Sequence, residues 1–213
     1  MKTLLVLNSS GRVTRSLTRR LTSRFAEAWS AVHHDAVVVQ RDLTLNPPPT
    51  INEPWIVAAF AAPDTPATVR EAVLRASDEL LDELTAADAV VIGAPVYNFG
   101  LPAQLKAYVD QIVRVGRSFA LTGDAAVPYR ALLAPKPVVV MTAASDGVML
   151  PGGALAHLNL VEPHLTAALG FIGLTDVRFV RVADSVADQA AHPHSLAAAE
   201  RAIEMILPRL AAA

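Results

Sequence analysis

The chain has 213 residues and a net charge of −2, with no basic run or aromatic-basic interleaving, which argues against a nucleic-acid partner. It is 53% hydrophobic and only 18% charged, which suggests a large core, a subunit face or both, yet no apolar run approaches the roughly 18 residues of a membrane span. Cysteine is absent, which excludes disulfides, thiolate metal sites and cysteine nucleophiles and fits a cytoplasmic location.

The first segment, TLLVLN from Thr3 to Asn8, reads as a fully buried strand. Its apolar run is too short for a signal peptide, and no clean cleavage site follows. Ser16 to Trp29 predicts a helix, because Leu17, Leu21, Phe25 and Ala28 recur at three-to-four spacing with arginines between. Ala36 to Leu43 is a second strand, and Asn46 to Pro54 (NPPPTINEP) a rigid, irregular connection. Thr65 as N-cap and Pro66 at the first helical position open another helix. Its inner stripe is Val69, Val73, Ala76, Leu80 and Leu84, and Glu71 and Arg75 form a four-apart pair outside. A third strand, Ala89 to Ala94, precedes a helix from about Pro102 to Val113. Gly116 to Lys136 reads as irregular. A strand from Pro137 to Thr142, a helix over Val161 to Phe171, a strand from Asp176 to Val182 and a helix over Ser195 to Leu210 complete the chain. Strands alternating with helices need crossover connections. The expectation is one α/β domain over residues 1–213, with a doubly wound five-stranded parallel sheet and helices on both faces. Such sheets bind ligands beyond the carboxyl ends of their strands, where strand order reverses.

Three loops fall at that end. The first, NSSGRVTRSLTRR, has neither G-x-G-x-x-G nor G-x-x-x-x-G-K-[ST]. It offers the hydroxyls of Ser9, Ser10, Thr14, Ser16 and Thr18 around a helix start, where free N–H groups suit a phosphate. An ordinary N-cap with a polar turn would look the same, and Arg12 and Arg15 read as solvated charges. In the second loop, Pro95 ends a strand and is followed by Tyr97, Asn98, Phe99, Gly100 and Pro102. Two exposed rings around an amide suit the edge of a flat heteroaromatic better than a cap over the sheet, and Gly100 would allow close backbone approach. The third loop, Thr142 to Gly147, is small and polar; Thr142 and Ser145 suit the heteroatoms of such a ring, and a plain flexible loop fits equally. A phosphate at the first loop and a ring between the other two describe a mononucleotide with a large aromatic head.

The segment APVYNFGLPAQLKAYVDQIVRVGRSFALT resembles the diagnostic stretch of FMN-dependent NADH:quinone oxidoreductases, the bacterial azoreductase family. HLTAALGFIGLTDVRFV (His164 to Val180) resembles that family's C-terminal signature, and LLVLNSSGRVTRSLTRRL its phosphate loop. The resemblance implies a flavodoxin-like fold, a homodimer, and tightly bound FMN near the subunit interface. NADH would reduce it, leave, and be replaced by a quinone or azo acceptor. Carried over by position, phosphate contacts fall on Ser10, Ser16, Leu17 and Thr18. Ring contacts fall on Val96, Tyr97, Asn98 and Phe99, and on Thr142, Ala143, Ala144 and Ser145. Two departures stand out: the loop Thr142 to Gly147 lacks the family's arginine, and Ala168 and Leu121 replace aromatics.

In this reading the flavin carries the chemistry, with no catalytic side chain. Phe119, Ala168 and Phe171 would shape the acceptor pocket, and Phe119 would reach it from the partner subunit. His33, His34, His192 and His194 read as surface residues, so no metal site is expected; His157 and His164 lie nearer the expected active-site mouth. Two rivals remain: a flavodoxin-type electron carrier, which the weak net charge disfavours, and an NAD(P)H:FMN reductase that uses flavin as substrate.

Overall fold

A computed structural model describes residues 1–61, 67–145, 147–183 and 191–211. Seven strands lie at Thr3–Asn8 (β1), Val37–Asp42 (β2), Ala89–Pro95 (β3), Phe119–Leu121 (β4), Tyr129–Ala131 (β5), Val138–Ala144 (β6) and Val177–Ala183 (β7). Helices are Leu17–Val32 (α1), Glu53–Ala59 (α2), Ala67–Ala86 (α3), Ala103–Ile112 (α4), Val161–Phe171 (α5) and Ala191–Ala211 (α6). The main sheet has the order β2-β1-β3-β6-β7, and every pairing in it is parallel. Helices cover both faces, as the alternation of elements requires.

Period-two alternation sorts each strand's side chains between two cores. On one side Leu4, Val6, Val91, Val139 and Met141 pack with Leu21, Phe25 and Trp29 of α1 and Leu196, Ile203 and Leu207 of α6. On the other, Leu5, Leu7, Val90, Ile92, Val138 and Val140 pack with Leu80 and Leu84 of α3, Leu105 and Tyr108 of α4, and Leu165 and Leu169 of α5. Central β3 is buried throughout, whereas edge strand β2 is only partly covered, which matches its polar Gln40, Arg41 and Asp42. The chain leaves β1 in both directions, to β2 on one side and β3 on the other. That reversal opens a crevice at their carboxyl ends.

Four local expectations need correction. The connection Asn46 to Pro54, expected to be irregular, ends in the first residues of α2, capped by Asn52, whose Oδ1 accepts the Trp55 N–H at 3.0 Å. Two turns are too short to show a period, and Trp55 anchors them by donating Nε1–H to Gln111 Oε1 at 2.9 Å. The segment after Gly116 contains the antiparallel β4–β5 hairpin, whose three-residue strands leave no alternation to read. On α3 the buried stripe runs through Leu74, Ser77, Leu81 and Leu84 as well as Leu80, while Val73 and Ala76 are half-buried. Buried Ser77 disguises that stripe: its hydroxyl donates to Gln111 O at 2.6 Å. Helix α6 starts before Ser195, whose Oγ instead accepts the Ala183 N–H at 2.8 Å. The expected cap at Thr65 and Pro66 lies outside the described residues, as does the Val69 side chain.

Candidate functional site

The first loop is held from behind. Buried Ser9 donates both N–H and Oγ–H to Gly93 O, at 3.2 and 2.6 Å. Gly93 suits this close approach: a Cβ would meet Asn8 Oδ1 at 3.1 Å and Thr22 Cγ2 at 3.3 Å, so those side chains would have to give by a few tenths of an ångström. Ser9 O accepts from Gln104 Nε2 at 2.6 Å. Ser10 O accepts from Arg19 Nη2 at 2.9 Å and Nε at 3.3 Å, and from Thr44 Oγ1 at 3.0 Å. Arg19 in turn makes a two-pronged ion pair with Asp42, Nη2 to Oδ1 at 2.9 Å and Nη1 to Oδ2. The Arg19 hydrogen bond, with the N–H groups of Thr44 and Leu45, holds the Asp42 carboxyl below its usual range. Sequence reading missed this brace of Arg19, Asp42, Thr44 and Gln104. The available signal was Asp42 ending a strand and Arg19 three residues beyond an N-cap.

Ser16 caps α1: its Oγ accepts the Arg19 N–H at 3.3 Å and lies 3.1 Å from Thr18 Oγ1. The N–H groups of Leu17 and Thr18 have no partner among the described residues. With the positive end of the helix dipole, they form a seat for an anion.

The second loop is a tight turn. Tyr97 and Gly100 exchange both backbone hydrogen bonds at 3.0 Å, and Asn98 and Phe99 between them have φ of 45° and 73°. Left-handed backbone at both central positions normally selects Asn-Gly. A bulky ring at the second position stores strain of about 1 kcal/mol or more. The positive angles fall on the two residues before Gly100, the glycine expected to allow close backbone approach. Phe99 O accepts the Leu160 N–H at 2.8 Å, which pins the turn to the start of α5. The Tyr97 ring reaches the first loop, where its OH accepts the Gly11 N–H at 3.0 Å and lies 3.5 Å from Ser10 Oγ.

Between the loops lies a crevice of about 340 Å³. Ser10, Ser16, Leu17 and Thr18 form one wall, Val96, Tyr97 and Asn98 another, and Ala143, Ala144 and Ser145 the third. Arg12 and Arg15, expected only as solvated charges, also line it. Among the described lining residues there is no carboxylate or imidazole. Two expected contacts fall outside this wall. Phe99 is half-exposed beyond it. Thr142 is fully buried, with an Oγ1 that lacks a hydrogen-bond partner, because the sheet alternation turns it away from the α1 side. The residues expected to shape the acceptor pocket lie outside the crevice of their own chain. Phe119 packs on Phe171 at 4.9 Å and on Tyr129 at 6.0 Å between ring centroids, whereas Ala168 packs against the core; none of the three predicted residues lines the crevice. His33 caps α1 and stacks on Trp29, and His157 and His164 stand away from the crevice walls. Among the described residues no group of three His, Asp or Glu side chains is placed to hold a metal ion.

A family model described as flavodoxin-like fold matches residues 2–207. The chain is 40% identical over 203 residues to "FMN-dependent NADH:quinone oxidoreductase 2" of Trichormus variabilis, covering 95% of this chain and 97% of that one. The chain belongs to this family of flavodoxin-like quinone oxidoreductases. The FMN-dependent NADH:quinone oxidoreductase of Xanthobacter autotrophicus is 41% identical and matches over the whole of both chains. The azoreductase of Bacillus anthracis str. Sterne has the same fold, with a TM-score of 0.86 at 20% identity over 98% of this chain and all of that one. The resemblance read from the Tyr97 and His164 segments is therefore family membership. For a quinone oxidoreductase of this family, the crevice is the one place where all three strand-end loops meet.

Proposed function

We propose that this chain binds FMN in the crevice and catalyses two-electron transfer from NADH to quinones, with aromatic azo compounds as further acceptors. One observation carries the reading: a helix N-terminus rich in hydroxyls and a strained, ring-bearing turn face each other across one strand-order reversal. The residues fit the cofactor. The Leu17 and Thr18 N–H groups, with the hydroxyls of Ser10, Ser16 and Thr18, suit a phosphate, and none of the described lining residues is acidic. Tyr97, Asn98 and the bare Ala143–Ala144 wall suit a flat ring.

When bound, FMN supplies a ring that accepts a hydride from NADH and passes two electrons to the acceptor. This chain's residues supply position and electrostatics. The N–H groups of Asn98 and Phe99 have no partner among the described residues and are held fixed by the turn. Fixed in this way, they would stabilise negative charge on a ring placed against the turn without reorganising. Ser10 and Tyr97 tie the phosphate seat to the ring seat through the Tyr97 OH. A homodimer is part of the proposal: Phe60, Leu121, Val127, Tyr129 and Phe171 expose apolar surface that a second copy would cover. No helix among the described residues is long and apolar enough to cross a membrane, and with the lack of cysteine this supports a cytoplasmic enzyme.

The test is the spectrum and turnover of the purified protein. A yellow protein that keeps FMN through gel filtration, oxidises NADH with menadione or methyl red, and gives parallel double-reciprocal lines is expected. A colourless protein that reduces only added flavin would overturn the proposal.

A further inference from the structure

Two cations stand in the crevice wall beside the anion seat, Arg12 and Arg15. Their positions differ. Arg12 belongs to the fold of the loop, where its N–H donates to Ser10 Oγ at 3.2 Å. Arg15 directly precedes the N-cap Ser16 and is exposed. Its side chain makes no hydrogen bond or ion pair among the described residues. The next cation along α1, Arg19, is committed to Asp42 and Ser10 O behind the seat.

The seat itself is short of charge. The Leu17 and Thr18 N–H groups and the hydroxyls of Ser10, Ser16 and Thr18 are neutral donors, and a helix N-terminus adds the equivalent of about half a positive charge. A phosphate monoester brings about −1.5 to −2 at neutral pH. Roughly one negative charge or more is therefore left uncompensated by the seat alone. A guanidinium carries a permanent positive charge and a planar pair of donors that matches phosphate oxygens. We propose that Arg15 closes over the seat when FMN binds, and that its charge makes the crevice select phosphorylated flavin over riboflavin. Arg15 has no ion pair among the described residues that must first break. This inference rests on the reading that FMN occupies the crevice. It adds that selection against the unphosphorylated flavin lies in one exposed side chain, outside the N–H and hydroxyl donors of the helix start.

Quenching of flavin fluorescence by the flavin-free protein measures FMN and riboflavin affinities side by side. Arg15→Gln should weaken FMN about five- to tenfold and leave riboflavin within about twofold. Arg15→Lys keeps the charge and should recover part of the FMN affinity. The loss in Arg15→Gln should shrink in about 1 M salt, where the screening length falls to about 3 Å. Arg178→Gln, on β7 beside Asp176, removes the same charge away from the crevice and should change neither affinity. Unchanged FMN affinity in Arg15→Gln, equal losses for FMN and riboflavin, or the same loss in Arg178→Gln would overturn the role of Arg15 while leaving the flavin reading in place. If the natural chain bound neither flavin, that reading would fall and this proposal with it.

Discussion

Arg19 lines no part of the crevice, yet replacing it with methionine should loosen the cofactor. Its guanidinium holds Ser10 O with two N–H groups and Asp42 with two more. Methionine keeps most of the apolar stem and removes all four. Hydrogen bonds to charged groups contribute about 1.5–3 kcal/mol. Both side chains are largely covered, at 14% and 21% exposed, so screening removes only part of this. Asp42 keeps the N–H groups of Thr44 and Leu45, and Ser10 O keeps Thr44 Oγ1. The expected loss in stability is therefore about 2 kcal/mol, not the sum of four contacts. Because Ser10 sits on the anion seat, FMN affinity should fall about tenfold, equivalent to about 1.4 kcal/mol. Urea unfolding and quenching of flavin fluorescence on binding measure the two quantities. Asp42→Asn should cost a similar amount, and the double variant should show a coupling of about 1–2 kcal/mol. The Asp42 pKa is lowered on folding, so its contribution is fully present above the unfolded value near 4 and is lost as pH falls through the folded value. The stability gap between the natural chain and Asp42→Asn should accordingly stay flat from about pH 7 to 5 and close only in stronger acid. Additive single effects, or unchanged FMN affinity in Arg19→Met, would refute the brace.

Tyr97→Phe removes the OH that joins the two loops; FMN affinity should fall about three- to tenfold with little change in folding stability, as a parallel titration and thermal melt would read. Phe99→Gly relieves a left-handed φ of 73° and gives up a ring that is half-exposed, so urea unfolding should show the apo protein stabilised by about 0.5–1 kcal/mol; a net loss would mean that the ring's contacts outweigh the strain. With no carboxylate or imidazole among the described crevice-lining residues, kcat/KM for menadione should be flat between about pH 6 and 8, and a bell in that range would reveal an acid or base beyond them.

How much the sequence discloses depends on how long a pattern persists. The five strands of the main sheet and the helices packed on it were legible because apolar runs such as Ala89–Ala94 and stripes such as Leu21–Phe25 repeat over several turns or pleats. Helix α2 and the β4–β5 hairpin were illegible because they are short and held by single anchors, Trp55 on Gln111 and Phe119 on Tyr129 and Phe171. The walls of the crevice were legible because hydroxyls, glycine and aromatics at strand ends have few structural uses. What lay behind those walls was not. Arg19 on Asp42 and Gln104 on Ser9 join residues 23 and 95 apart, and nothing local in the chain marks either pair. Thr142 misled for a related reason: its type suggested a ligand contact, but side-chain direction belongs to the sheet, and the pleat turns it into the interior.

The three crevice walls differ in how firmly they are built, and that difference bears on which part of the activity each governs. The anion seat is braced by an ion pair, a capped helix and two carbonyls held in place. The turn opposite is strained but closed by a double hydrogen bond and pinned at Phe99 O to Leu160. The third wall is two alanines and a serine, which impose almost no shape. A site of this kind fixes the phosphate and ring of its cofactor and leaves the open side to whatever covers it. In the proposed homodimer, selection among acceptors would belong to the exposed rings of Tyr129 and Phe171, and to Phe60 and Leu121, none of which lines the crevice of its own chain. Substitutions at those positions should change relative rates among acceptors while leaving FMN affinity alone, the reverse of what Arg19→Met does.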